Sequence, residues 1–176
     1  MNFKPFPEII TERLLLRKLK TSDCDVILFL RTDKNVTKYI ERPDHRKTKN
    51  ISQARILIEE FDSCIETNHS ITWGITLKNT RQIVGTICLW NFSQNKKTAE
   101  VGYDLHPILQ NKGIMSEALK GIVSFGFKEL NLDKIVAFTH TDNLYSKKLL
   151  EKQGFHHNVN RKDLENKSNI IFELEN

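Results

Sequence analysis

Gln110-Asn111-Lys112-Gly113-Ile114-Met115 divides the chain. Upstream, residues 99–105 read as a strand. Downstream, Met115, Leu119, Ile122, Val123 and Phe127 recur at helical spacing in a run that ends near Leu130. A strand, a polar loop with a glycine and a lysine, and then a helix start is an arrangement suited to a phosphate. The first-turn N–H groups have no partner inside the helix, and the helix dipole favours an anion there. The gain is about 0.3–1 kcal/mol per charge at a surface and up to about 2 when partly buried. A glycine in a polar loop is also simply a turn, so the flanking pattern has to decide.

The flanks are ordered. Residues 11–19 read as a strand, with Leu14 and Leu16 on one side and Arg13, Leu15 and Arg17 on the other. Thr21-Ser22-Asp23 offers caps for a helix through Leu30. A charged loop at 42–50, containing Pro43, leads to a second helix that Ser52 can cap, with Ile56, Phe61 and Ile65 near helical spacing. Residues 71–77 and 82–90 are strands joined by Lys78-Asn79-Thr80-Arg81, and the 99–105 strand follows the polar turn 93–97. Short polar turns between three strands predict an antiparallel meander. After the Gly113 helix come a β-branched strand at 134–139 and a helix at 143–153 that Asp142 can cap. Gly154 stands where a left-handed C-cap is wanted, and Phe155 opens the next strand. A last strand, 170–174, is reached through the polar stretch 160–169. The expected fold is α/β (α+β), a single sheet layer covered by helices.

Composition narrows the function. The 176 residues fit one domain, 39% hydrophobic and 28% charged, an ordinary globular balance. No segment approaches the roughly eighteen apolar residues of a membrane span, and Met1-Asn2-Phe3-Lys4-Pro5 lacks the apolar core of a signal peptide. Cys24, Cys64 and Cys88 are widely spaced, which predicts buried reduced thiols in a cytoplasmic protein. The net charge of +5 is spread along the chain, mostly as a solvated face with a smaller part steering an anion to a cleft. No run interleaves aromatic with basic residues, so direct nucleic-acid binding is not expected. The six histidines, His106 and His140 among them, show no metal spacing; no metal is expected, and His140 is kept as a substrate-cleft candidate.

Five segments in this order resemble the GNAT superfamily of N-acetyltransferases, and within it the ribosomal-protein N-terminal acetyltransferase branch. They are Thr11-Glu12-Arg13-Leu14-Leu15-Leu16-Arg17, Trp73-Gly74-Ile75 with Ile83-Val84-Gly85-Thr86-Ile87, Ala99-Glu100-Val101-Gly102-Tyr103-Asp104-Leu105, the 110–115 loop, and Asn143-x-x-Ser146 with Leu149, Gly154 and Phe155. The resemblance implies a single GNAT-type domain over 1–176, with a mixed, mostly antiparallel sheet, splayed central parallel strands and helices on both faces. It implies acetyl-CoA as donor and a primary amine as acceptor. Backbone groups around Tyr103, Asp104 and Leu105 would pair with the pantetheine arm. Gln110, Asn111, Lys112, Gly113, Ile114, Met115 and Ser116 would cradle the pyrophosphate, and Asn143 would hold the far end of the arm. The chain departs from the wider family at Leu150, where a thiolate-protonating Tyr often stands; in the ribosomal-type branch Ser146 would take that part. Met115 also stands where many members have Gly or Ala, and only its backbone is needed.

Several assignments keep two readings. Glu100 is the candidate general base, or a strand glutamate in a surface salt bridge. Ser146 is the candidate acid, or a helix serine bonded to its own i−4 carbonyl. Asn143 is a cofactor ligand or an ordinary helix-opening residue, and Tyr103 also suits a core position. The reaction itself is direct attack of a neutral amine on a thioester. An α-amine with pKa near 8 is about a tenth neutral at pH 7, whereas a lysine amine near 10.4 is neutral at under about one part in a thousand. A protein N-terminus, as on a ribosomal protein, is thus the first acceptor by resemblance. A small amine such as a polyamine, aminoglycoside or amino-acid-like molecule is the second, and a non-catalytic CoA-binding module is the third reading. The resemblance leaves monomer and homodimer equally open.

Overall fold

The computed structural model describes residues 1–40, 42, 44 and 47–176. The charged 42–50 loop, with Pro43, thus lies partly outside the described residues. In chain order the elements are β1 (Ile9–Ile10), β2 (Leu14–Lys18), α1 (Cys24–Thr32), α2 (Lys34–Thr37), α3 (Ile51–Glu66), β3 (Ile71–Leu77), β4 (Ile83–Trp90), β5 (Thr98–Leu105), α4 (Ile114–Lys128), β6 (Lys134–His140), α5 (Leu144–Lys152), β7 (His156–His157) and β8 (Asn169–Glu175). The strands form a single sheet ordered β1-β2-β3-β4-β5-β6-β8-β7. Every pairing is antiparallel except β5 with β6.

Two-residue alternation, together with a bulge in β4 opposite Ile75 and Thr76 that reverses the face of Ile83, sends side chains to two separate cores. Leu14, Leu16, Ile75, Ile87, Val101 and Leu105 join Ile114, Met115, Leu119 and Ile122 of α4 on one face. Ile83 points the other way, into a cluster with Val26, Ile27 and Leu30 of α1 and Ala54 and Ile58 of α3. Helices therefore cover both faces.

The local differences from expectation have local causes. The 11–19 strand is shorter, as β2 begins at Leu14 and β1 precedes it. Asn50, not Ser52, caps α3, its side chain accepting from the Gln53 amide at 2.9 Å. The buried stripe of α3 is Ala54, Ile58 and Ile65, while Ile56 is 52% exposed. Asn143, not Asp142, caps α5. The short α2 was not anticipated; the Asp33 side chain caps it by accepting from the Asn35 and Val36 amides. Cys24 is buried, but Cys64 and Cys88 are only half-buried, so the expectation of three buried thiols holds for one.

Asp23 makes no side-chain cap to α1. Its carboxylate instead takes both arms of the Arg17 guanidinium, at 2.8 and 2.9 Å, and the Lys20 amide at 2.8 Å. Arg17 also donates to the carbonyls of Lys18 and Arg81. Both side chains are buried. This pair pins the start of α1 to β2. Arg17→Leu should strand an unpaired buried carboxylate and cost about 3–5 kcal/mol. Urea unfolding followed by circular dichroism checks this; a loss under about 1 kcal/mol would mean that the pair is not closed in solution.

Candidate functional site

β5 and β6 pair only over Thr98–Glu100 and Lys134–Val136. Beyond those residues the two strands continue, β5 to Leu105 and β6 to His140, without pairing to each other. β5 keeps β4 as a partner as far as Leu105, and β6 keeps β8 as far as His140. The sheet therefore parts in its middle.

The main-chain groups that face the parting can be identified. The His106 amide donates to Val84 of β4, and the Lys97 carbonyl accepts from the amides of Asp133 and Lys134 next to β6. In an antiparallel ladder the backbone groups alternate. Even-numbered residues of β5 thus turn to β4 and odd-numbered ones toward β6; the last bridge, Glu100 with Val136, uses the Val101 amide, and the Val101 carbonyl and the backbone groups of Tyr103 and Leu105 turn to the opening. The Leu105 carbonyl already accepts from the Gln110 side chain at 3.3 Å. Asp104, expected to offer its backbone to a cofactor, turns it to β4 instead.

Beyond Leu105 the chain makes the expected loop. Asn111 (φ 60°) and Gly113 (φ 76°) are both left-handed. A turn in which left-handed residues alternate with an ordinary one can direct its N–H groups into one concavity that suits an anion. Gly113 is the N-cap of α4 and contributes no side-chain cap, so the first-turn amides of Ile114, Met115 and Ser116 stay open. Glu117, well placed to cap, is drawn away: it accepts from the Thr11 hydroxyl and from the Arg13 amide and Nε. Arg13 also donates to the Lys112 carbonyl at 3.1 Å. Arg13, which the sequence placed only as a strand residue, thus braces the back of the loop. Lys112 is exposed, and Ile114 and Met115 bury their side chains in the core. Ser116 accepts from Gln153 at the end of α5, at 2.8 Å.

The same cleft, about 2310 Å³, is lined by Glu100, Gly102, Tyr103, the loop residues other than Lys112, Asn143 and Ser146. Asn143 uses its carbonyl oxygen to accept from the Ser146 amide at 3.1 Å. It is thus the residue that opens α5, and its amide NH2 has no partner among the described residues. Ser146 is not bonded to an i−4 carbonyl. Its hydroxyl meets the Tyr103 hydroxyl at 2.9 Å, joining β5 to α5. Burial pushes the Tyr103 phenol up to about 12, against the hydrogen bond with Ser146, so it is un-ionised at neutral pH. Sequence reasoning gave Tyr103 a backbone role or a core position and missed this contact; two hydroxyls far apart in the chain leave no local signal.

Glu100 is half-buried and accepts from Asn91 Nδ2 at 2.7 Å. It makes no salt bridge among the described residues. Burial raises its carboxyl above the ordinary glutamate value, with the Asn91 bond opposing. Gly102 stands between Glu100 and Asp104 on one face, and a Cβ there would come within 3.2 Å of Cys88 Sγ. Glycine there lets the strand lie close against the Cys88 side chain. Cys88 donates to the Gly102 carbonyl at 3.5 Å, and burial pushes its thiol up to about 11, so it is not a thiolate nucleophile. His140 lies in the cleft with its ring 5.4 Å from that of Tyr39. No metal-binding cluster occurs among the described residues, and no described helix is long and apolar enough to cross a membrane.

Comparison with known proteins agrees with this geometry. Residues 13–156 match the family described as the acetyltransferase (GNAT) domain. The chain is 34% identical over 150 residues to the uncharacterized N-acetyltransferase YoaA of Bacillus subtilis, covering 85% of this chain and 83% of that one. It superposes on the ribosomal-protein-S5-alanine acetyltransferase of Vibrio fischeri with a TM-score of 0.79 at 22% identity, covering 97% of each chain. The fold of RimL, a ribosomal L7/L12 α-N-protein acetyltransferase solved with coenzyme A, matches with a TM-score of 0.81 at 16% identity, over 96% of this chain and 98% of that one.

Tyr103→Phe should remove the bridge between β5 and α5 and cost about 1 kcal/mol. Urea unfolding with unchanged slope is the check; an unchanged midpoint would contradict the bond.

Proposed function

We propose that this chain, which belongs to the GNAT acetyltransferase family, acetylates the N-terminal α-amine of a protein with acetyl-CoA as donor. Residues 1–176 act as one catalytic domain, and a ribosomal-protein acceptor places the reaction in the cytoplasm. The observation that carries this reading is the parting of β5 from β6 after Glu100, with the Val101 carbonyl and the backbone groups of Tyr103 facing the opening.

The pantetheine arm pairs with those groups as a missing strand would. Its diphosphate lies on the open amides of Ile114, Met115 and Ser116, in the hollow formed by Gln110, Asn111, Lys112 and Gly113, with Lys112 as a compact counter-charge. The free amide of Asn143 holds the arm from the other side. The acceptor nitrogen attacks the thioester carbon, the carbon–sulfur bond breaks, and the thiolate leaves. Glu100, through a water, takes the proton the amine gives up. Ser146, its hydroxyl aligned by Tyr103, returns one to the sulfur and takes a proton back from water in the cleft. No enzyme nucleophile is needed. An α-amine is favoured because about a tenth of it is neutral at pH 7 without help. The ribosomal-protein substrates of the two structural neighbours support the same acceptor class.

Gly113→Glu should abolish coenzyme A binding, because a carboxylate then stands beside the diphosphate. Isothermal titration calorimetry is the test, with a thermal melt to show that the variant is folded; unchanged affinity would displace the cofactor from this loop. Glu100→Gln should lower kcat about 100-fold. Because Glu100 must be ionised to act and its pKa is raised, wild-type kcat/KM should fall on the acid side above the ordinary glutamate value, and this limb should vanish in the variant. A pH profile that Glu100→Gln leaves unaltered would remove Glu100 from the reaction.

A further inference from the structure

Asp104 points onto the same strand face as Glu100 and Gly102. Its Oδ1 is fully engaged, accepting from the Thr86 amide at 3.1 Å and the Thr86 hydroxyl at 2.7 Å. Its Oδ2 accepts from Arg31 Nη1 at 3.0 Å, while Arg42 Nη2 stays 3.8 Å away, outside hydrogen-bond range. Two guanidiniums thus converge on one carboxylate. Their side chains are only 13% and 19% exposed. Arg31 makes a single hydrogen bond among the described residues, and Arg42 makes none there. A buried arginine fork that keeps most of its five donors idle is costly. Burial, then the positive charge of Arg31, lowers Arg42 to about 10. Tethering the helix α1 to β5 would require Arg31 alone.

We infer that Arg31 and Arg42 form an anion subsite for the acceptor, which selects a peptide N-terminus with an acidic side chain at its second or third residue. This rests on the proposed N-terminal acetylation and deepens it. A carboxylate entering the cleft completes the count of two cations and two anions, and its planar oxygens suit the idle guanidinium donors. The placement is right for this. Both arginines, Gly102, Tyr103 and Ser146 line one cleft. Asp104 lies two residues from Gly102, about 7 Å along the strand. An extended peptide advances about 3.3–3.6 Å per residue, so an acidic group one or two residues beyond the amine reaches the fork while the amine stays at the thioester.

Steady-state thiol release tests this first with three acceptors: an eight-residue peptide with Asp at position two, the same peptide with Asn there, and free aspartate, whose acid groups are its own. The wild type should prefer the Asp peptide at least tenfold in kcat/KM, mostly through KM. Arg42→Gln should bring that ratio close to one, and Arg42→Lys should restore part of it. Calorimetry with coenzyme A accompanies each variant to show that the donor site is intact. Equal kcat/KM for the two peptides, and for a matching pair with Asp or Asn at position three, would overturn the subsite and leave N-terminal acetylation standing. A preference for free aspartate over both peptides would keep the subsite's chemistry and overturn the protein acceptor. A tenfold preference that persists in Arg42→Gln would overturn the role of Arg42.

Discussion

The constraint on which the molecule depends is a ladder that stops. β5 and β6 are neighbours in the middle of the sheet, yet they exchange partners for only three residues each before they separate. Main-chain donors and acceptors without partners inside a protein are expensive. The cost is tolerable here because each strand keeps a complete antiparallel ladder on its other side and because the exposed groups face a cleft rather than apolar packing. The opening is therefore a property of the backbone, and the identity of the side chains along it governs what happens at its edges.

Three ties hold the edges apart. Arg13 and Glu117 clasp the 110–113 loop to the start of β2, which leaves the first turn of α4 uncapped. The hydroxyls of Tyr103 and Ser146 join β5 to α5 across the opening. Gln153 fixes Ser116 to the end of α5. Each tie uses a polar group that would ordinarily cap a helix or face water. The result is a loop whose free valences are its own N–H groups. On the opposite face, Glu100 has one neutral hydrogen-bond partner and a raised pKa, while Asp104 is held between two arginines. Two carboxylates four residues apart thus have distinct surroundings, one with a single neutral partner and one held in ion pairs.

Much of this was legible in the sequence, for reasons that differ by residue. The strand–loop–helix of 99–128 could be read because alternation gives way to helical spacing at Gly113, and because glycine accommodates a φ of 76° without cost. β3 was recovered with its full span, and β4, β5 and β6 to within a residue at each end. Caps were less readable: Ser52 and Asp142 are good cap types, but Asn50 and Asn143 sit where the turns actually begin. Long-range polar contacts were not readable at all. Nothing local marks Arg17 as the partner of Asp23, Arg13 as a brace of Lys112, or Tyr103 as the partner of Ser146. Such pairs depend on which strands lie side by side, and that is settled only when the sheet has assembled.

The central claim concerns the amides that face the parting, and amide hydrogen exchange by NMR reads them directly. With acetyl-CoA added, exchange at Tyr103 and at Ile114, Met115 and Ser116 should slow by at least tenfold, while Ala99, already paired with β6, should change little. If Tyr103 is as protected without the ligand as Ala99, or if the ligand protects some other edge of the sheet, the strands do not part to receive it.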